Sequence, residues 1–233
     1  MSAKSSNRCL CLLLAMMLIA LAMSVGCAKP TSSTIDAINE NYNKFTLREG
    51  DARFSFEYPT NYEEMVTYLH VGDETPAYVF GRYTAVSFDR SIVEENQLLE
   101  RSYLHVAARE ASSLDNSDAK AALEDEIAKF ATSKNNRDFE IIDRSPVTIA
   151  GVVGERVEFS YCQFQSDPFI EYEGPYVELP ITSIVRYVCF DHDGFVWSIF
   201  LESWPIFLES TEGLAEEDGV HFEHILETFT ILD

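Results

Sequence analysis

Residues 181–203, ITSIVRYVCFDHDGFVWSIFLES, decide the fold class. Two runs of β-branched and aromatic residues, Ile181–Phe190 and Phe195–Leu201, flank the tetrapeptide Asp191-His192-Asp193-Gly194. Such side chains favour strands, while Asp tolerates turn dihedrals and Gly supplies a positive φ. The stretch therefore predicts a β-hairpin, and with it an antiparallel sheet.

Strand-like runs recur on both sides of this hairpin, each bounded by turn residues. Residues 90–101 fit either a short helix or an irregular excursion, and Gly151–Gly154 predicts a tight turn. The further runs are Arg53–Glu57, Met65–Val71, Ala77–Phe88, Tyr103–Ala108, Phe139–Ile142, Val147–Ile149, Val157–Tyr161 and Phe229–Leu232.

Two segments have helical rather than alternating periodicity. Leu114–Lys134 is the longer, with Asp115 or Ser117 as its N-cap, and Val220–Leu226 is a short second helix. The apolar faces consist of Ala119, Leu123, Ile127, Phe130 and Ala131 in the first and Phe222, Ile225 and Leu226 in the second. We predict one α+β domain over residues 44–233, a central antiparallel sheet with two packed helices.

The N-terminus has the pattern of a secretory signal over residues 1–26. A short polar segment with Lys4 and Arg8 precedes the apolar run Cys9–Val25. Ser24-Val25-Gly26-Cys27 resembles the lipobox of bacterial lipoproteins, although Ser24 stands where Leu is usual. The resemblance implies diacylglycerol on Cys27, cleavage before it, and a polar tether over residues 27–43. The alternative is an uncleaved signal anchor, since the run has the minimum length for spanning a bilayer.

The charge balance restricts the partners. The chain has 39 acidic and 17 basic residues in 233, a net charge of −22, and loss of Lys4 and Arg8 would make it −24. Such a surface repels nucleic-acid phosphates and anionic headgroups. We predict no nucleic-acid partner and a body that stands off the membrane.

The cysteines divide by position. Cys9 and Cys11 belong to the leader and Cys27 takes the lipid, which leaves Cys162 and Cys189. In an oxidising compartment an even pair can form a disulfide if the two strands are neighbours. The alternative is two buried free thiols that pack as small apolar groups.

Several segments resemble PsbP-like and Mog1-like domains. FSFEYP at residues 54–59 matches their F-x-x-x-YP opening, and GFVWSIFLES at 194–203 with HFEHILETFTIL at 221–232 matches their closing pattern. DRSPVTIAGVVGERVEFSY at 143–161 fits the central strand that follows a glycine turn. The resemblance implies an α+β sandwich and an accessory or adaptor role without a reaction. No motif of these domains identifies a functional residue in this chain.

Motifs for catalysis are absent from the sequence. It contains no GxSxG, GxGxxG or phosphate-binding loop, and with 39 acids no particular carboxylate pair can be selected for hydrolysis. We therefore predict no catalytic residue, no metal site and no cofactor. The nearest metal candidates are His221 and His224, on one helical face near Glu217 and Asp218.

The remaining candidate is the acidic, aromatic segment 166–180. If they are exposed, Phe169, Tyr172 and Tyr176 would form a loop that binds a partner or ligand. The alternative is that the segment is an ordered structural loop. The leading hypothesis is a non-enzymatic binding or adaptor module, lipid-anchored on the extracytoplasmic face of the cell membrane. Its contact would be this loop, with a protein partner, or a pocket between sheet and helices for a small apolar ligand.

Three alternatives to this hypothesis stay open. The chain could be an accessory or stabilising subunit of an envelope complex, or a hydrolase that uses acidic residues. In a two-membrane cell the anchor could lie in the outer membrane, because Ala28 after the lipidated cysteine does not itself signal retention at the inner one.

Overall fold

A computed structural model describes residues 33–37, 39–48, 50–70, 83–94, 97–113, 118–164, 180–205 and 211–233, all within the compact unit Ser32–Asp233. The leader, Cys27 and the loop candidates Phe169, Tyr172 and Tyr176 lie outside these residues. The strands are β1 Ser33–Ala37, β2 Tyr42–Leu47, β3 Phe54–Pro59, β4 Glu63–His70, β5 Tyr83–Glu94, β6 Gln97–Glu110, β7 Asn136–Ile149, β8 Val152–Phe164, β9 Pro180–His192, β10 Phe195–Pro205 and β11 Thr230–Ile231. The helices are α1 Ala119–Thr132 and α2 Thr211–Thr228, and Ala111–Ser113 is a 3-10 turn.

These strands form two antiparallel sheets. The smaller has the order β1-β2-β3-β11 and the larger β4-β5-β6-β10-β9-β8-β7. The predicted hairpin forms β9 and β10, with Asp193 and Gly194 at positive φ in its turn. The α+β class, with two helices packed on antiparallel sheets, is confirmed.

Side chains of β10, the central strand of the larger sheet, alternate between its two faces, as the pleat requires. Trp197, Ile199 and Leu201 face an inner core shared with the smaller sheet and α2. Val196 faces the second core, under α1, and Phe200 packs at the margin of that core. We call these the inner and outer faces of the seven-stranded sheet.

Aromatic rings fill the inner core, which explains why the alternating Phe runs form strands. Trp197 stacks on Phe190 and meets Phe54 and Phe229 edge-on, with ring centroids 5.6 to 6.0 Å apart. All of these side chains are buried. Burial of a large aromatic side chain stabilises the fold by roughly 1.5–3 kcal/mol, so this layer holds the two sheets together.

Helix α1 begins later than the sequence predicts. Its N-cap is Asp118, whose Oδ1 accepts a hydrogen bond from Ala121 N at 2.8 Å; the predicted caps Asp115 and Ser117 are outside the described residues. The Asp191 carboxylate, at the hairpin, also accepts from Ala119 N at 2.9 Å. Because two carboxylates satisfy free backbone N–H groups, the helix start is fixed to the sheet.

Five further predictions need correction. Ser33–Ala37, assigned to the tether, pairs with β2 as a strand. Residues 90–101 lie mainly in β5 and β6 rather than in a helix, and the two runs within 139–149 are one edge strand, β7, with two bulges. Helix α2 has 18 residues, longer than predicted, and Ala131 is exposed. None of the described helices is long and apolar enough to cross a membrane.

Candidate binding site on the outer face of the sheet

A carboxyl group is buried at the middle of the seven-stranded sheet. Glu202 lies on β10, is 6% exposed, and is flanked in register by Tyr103 on β6 and Val185 on β9. The Tyr161 hydroxyl, from β8, donates a hydrogen bond to it. Burial raises the pKa of Glu202 above its ordinary value. Burial and then the Glu202 charge raise the pKa of Tyr161.

Two further side chains with hydrogen-bonding groups, Ser183 and Trp204, lie beside this carboxyl. Ser183, fully buried, is opposite Tyr161 in the register of β8 and β9. The Trp204 indole lies close enough to hydrogen-bond with Glu202 and Tyr161, and the Ser183 hydroxyl lies close enough to hydrogen-bond with Tyr161. Native proteins hydrogen-bond nearly all of their buried polar groups, and these four can do so with one another. We therefore regard Glu202, Ser183, Trp204 and Tyr161 as one candidate site, the Glu202 site.

The edge of the Glu202 site has one positive and one negative side chain, which form an ion pair. The Arg101 guanidinium lies 5.0 Å from the Trp204 ring centroid, and its Nε donates to Asp89 Oδ1 at 2.7 Å. Both side chains are partly exposed, at 29% and 19%. The cation–π contact holds the indole, and the ion pair cancels the positive charge.

A second polar group lies two strands away on the same face. Ser87 Oγ is 2.9 Å from both Tyr103 Oη and His105 Nδ1. Burial, and then the charge of Arg109, lower the pKa of His105 to about 4. A serine that bonds a histidine has the geometry of a nucleophile and its base. However, a base with so low a pKa is poorly matched to neutral pH.

The inner face has its own buried carboxylate, which is fully satisfied. Asp218 on α2 is 0% exposed and accepts hydrogen bonds from Tyr62 at 2.8 Å, Ser102 at 2.7 Å and Ser203 at 2.6 Å. Arg90 Nη1 lies 3.7 Å from it. Because Asp218 on α2 joins partners from the chain after β3 and from the larger sheet, the cluster is a structural junction rather than a binding site.

The two histidines that the sequence suggested as metal ligands contact different carboxylates. His224 Nε2 is 2.9 Å from Glu57 Oε2, whereas His221 Nε2 is 3.4 Å from Glu217 Oε1. The Tyr42 ring packs on His224, with centroids 3.9 Å apart. Asp218, the other proposed ligand, is directed into the junction. Among the described residues no three His, Cys, Asp or Glu side chains are grouped to hold a metal.

Of the two alternatives for Cys162 and Cys189, the structure has the buried free thiols and not the possible disulfide. Cys162 and Cys189 are both free and buried. Their strands are neighbours, as expected, but the register pairs Cys162 with Thr182 and Cys189 with Glu155. The two thiols are therefore seven positions apart along the sheet, about 23 Å at 3.3 Å per residue. A disulfide needs Cα atoms within about 7 Å.

Comparisons with known proteins find similarity to a few solved structures. No protein-family model matches it, and no curated protein sequence matches it. It is similar to LpqN of Mycobacterium tuberculosis, which is involved in cell envelope biogenesis, at 14% identity over 82% of this chain and 92% of that one, with a TM-score of 0.44.

Two other solved structures are similar. PsbP of Synechocystis sp. PCC 6803 has 12% identity over 90% of this chain and 99% of its own, with a TM-score of 0.42. PA94 of Pseudomonas aeruginosa, a protein of unknown function, has 10% identity over 82% and 94%, with a TM-score of 0.34. At this level the likeness concerns the course of the chain, and no residue role transfers.

The sequence did not reveal the Glu202 site. Glu202 and Trp204 stand in a strand with the ordinary alternation, and Trp204 reads as a packing residue. The available signal was weak: a glutamate on the same face of the strand as Val196, Phe200 and Trp204. Only the register shows that Tyr161 and Ser183 lie beside it.

Proposed function

We propose that the chain is a lipid-anchored binding module on the extracytoplasmic face of a membrane, and that its ligand occupies the Glu202 site. The observation that supports this most is a buried carboxyl on the central strand with the polar atoms Tyr161 Oη, Ser183 Oγ and Trp204 Nε1 around it. Sites for small molecules combine a few convergent polar groups with apolar walls. Here the polar groups are these atoms, and Phe200 and Tyr103 supply aromatic surface on the same face.

Chemistry on a substrate has less support than binding. Glu202 and Asp89 flank Tyr103 on the same row of the sheet, which is the arrangement that a two-carboxylate hydrolase would need. Each acid is already engaged, Asp89 by Arg101 and Glu202 by Tyr161. Neither is free to act as nucleophile or base without breaking its contact. We therefore prefer binding to hydrolysis.

The anchor follows from the leader and Cys27. Several acyl chains on one cysteine give stable anchoring, whereas one chain alone is marginal. The test is the intact mass of membrane-extracted protein, with and without globomycin, an inhibitor of lipoprotein signal peptidase. We expect the mass of residues 27–233 plus acyl chains, and retention of the leader under the inhibitor. A full-length mass that does not respond to the inhibitor would refute the anchor.

Binding is tested on the same preparation by native mass spectrometry. We expect a non-covalent small-molecule adduct on the wild-type protein that is lost in Trp204→Ala, a change at the partly exposed margin of the site. Val153→Ala, at a position 73% exposed and on another part of the sheet, is the control. An adduct that persists in Trp204→Ala, or its absence from wild type, would contradict the proposal.

The alternative role, an accessory subunit of an envelope complex, is favoured by one surface feature. Ile141 and Ile142 are adjacent on the edge strand β7 and are 44% and 52% exposed, and paired exposed apolar side chains are typical of protein contacts. Blue native electrophoresis of solubilised membranes tests this role. A large complex that dissociates when Ile142 is changed to Ser would favour it over small-molecule binding.

A further inference from the structure

Building on the proposed lipid anchor, we infer that the protein meets the membrane with one end of its smaller sheet, and that Arg48 and Arg53 at this end contact the phosphates of the lipid headgroups. We call the end at which β1 begins, beside these arginines, the anchor end, and the end at which β1 finishes the distal end. Two features support this orientation: the short chain between Cys27 and β1, and the different charges at the two ends.

The chain between the lipid and the sheet is short. Ser33–Ala37 is a strand paired with β2 rather than part of the tether, so the sheet begins only six positions after Cys27. An extended chain spans at most about 3.5 Å per residue, which places Ser33 within about 21 Å of a lipidated Cys27. Ser33 is opposite Leu47, the last residue of β2. The lipid therefore holds the anchor end close to the bilayer surface.

The anchor end carries both signs of charge. The turn between β2 and β3 lies there, because β2 ends beside the start of β1. Residues 48–53 of this turn have two acidic and two basic side chains, and Asp233 is close by, since Leu232 N donates to Arg53 O at 2.9 Å. Arg48 is exposed and Arg53 is half-buried. Because a guanidinium can bind two phosphate oxygens at once, arginines held near headgroups are suited to their phosphates.

The distal end carries acids without bases. Thr60 Oγ1 donates to Glu40 O at 3.1 Å, which holds the turn after β1 beside the segment before β4. Glu40 and Glu63 are exposed, and residues 39–43 and 59–64 contain no Lys or Arg. Anionic headgroups repel such a surface. The two ends are about 17 Å apart along β2, so this repulsion turns the anchor end towards the bilayer.

The test compares the heights of the two ends above the bilayer by energy transfer. Lipidated protein is reconstituted in vesicles of phosphatidylcholine and phosphatidylglycerol that contain a headgroup-labelled acceptor lipid. Asp51→Cys and Glu63→Cys each replace an exposed acid by a thiol that takes the donor dye. The lipid blocks Cys27, and Cys162 and Cys189 are buried, so protein without an added cysteine should take up no dye.

We expect stronger energy transfer from the dye at position 51, at the anchor end, than from the dye at position 63, at the distal end. Both variants remove one negative charge, so a difference between them reports height rather than net charge. Equal transfer from the two positions, or stronger transfer from position 63, would overturn the inference.

A pair of arginine variants tests the phosphate contact. Arg48→Gln, made in the Asp51→Cys protein, removes a cation at the anchor end, and we expect it to reduce the transfer from position 51. Arg137→Gln makes the same change of charge at an exposed position of β7, in the larger sheet, and should leave the transfer unchanged. Equal reductions in both variants would indicate an effect of net charge and overturn the contact.

The intact mass of the membrane-extracted protein separates this inference from the proposed function. If the mass shows no acyl chains, the anchor is refuted and the orientation fails with it. If acyl chains are present and position 63 gives the stronger transfer, the inference alone fails and the anchor stands.

Discussion

Replacing Asp218 by Asn should destabilise the protein strongly although the side chains have nearly the same size. The carboxylate is 0% exposed and accepts three hydrogen bonds, from Tyr62, Ser102 and Ser203. An amide nitrogen in place of one oxygen would meet a hydroxyl donor, and Arg90 would lose one of its two anionic partners. Breaking a buried ion pair costs about 3–5 kcal/mol. Because Arg90 keeps Glu217 at 3.2 Å, we expect about 3 kcal/mol.

The assay is urea unfolding of residues 27–233 with Cys27→Ser, monitored by tryptophan fluorescence. Ser203→Ala removes one donor and should cost about 1 kcal/mol. Glu216→Gln, an exposed acid on the same helix, controls for net charge and should change the unfolding free energy by less than about 0.5 kcal/mol. If Asp218→Asn lies within about 1 kcal/mol of wild type, the junction does not stabilise the fold as argued.

Three further predictions concern stability and thiol chemistry. The pKa of His105 is lowered to about 4, so its neutral form is favoured by folding. Stability should be full above the unfolded pKa of about 6.5 and fall by up to about 3 kcal/mol towards pH 4; His105→Gln should flatten that part of the pH curve from urea unfolding. Gly219→Ala puts a Cβ 3.3 Å from Arg186 Nη2; because that nitrogen is held by Ala215 O at 2.9 Å, the change should lower the melting temperature. Gly213→Ala, with open space around it, should raise the melting temperature through helix propensity. Finally, the two described cysteines are buried and free, so reductant should not change the melting temperature and alkylation should require unfolding; a reductant-sensitive transition would show a disulfide after all.

Much of the fold could be predicted from local patterns. The turn residues before Phe195 and the alternation on either side of them identify the central hairpin, and helical spacing identifies Leu123 and Ile127 as buried. Hydrophobic periodicity did not predict the first strand of the described chain. Ser33–Ala37 is polar in sequence, yet it forms a strand because the edge of β2 offers it backbone partners.

The sites depend on register, which a single sequence does not specify. Cys162 and Cys189 lie on neighbouring strands as expected, but the offset that separates them is set by the turns and bulges of the whole sheet. The same offset brings Tyr161 and Ser183 to Glu202. Correct prediction of the strands therefore could not decide between a disulfide and free thiols, and it missed the polar group.

The edge strand β7 bears on how copies of the proposed lipid-anchored protein would behave on one membrane. A lipid anchor would confine the molecules to a plane, where each meets its neighbours at a high effective concentration. Open strand edges pair with one another under such crowding. Two bulges and Pro146 interrupt the edge, and exposed Arg137, Glu140 and Asp143 line it with charge. We therefore expect a dense layer of this protein to remain a fluid of separate molecules rather than to aggregate through sheet extension.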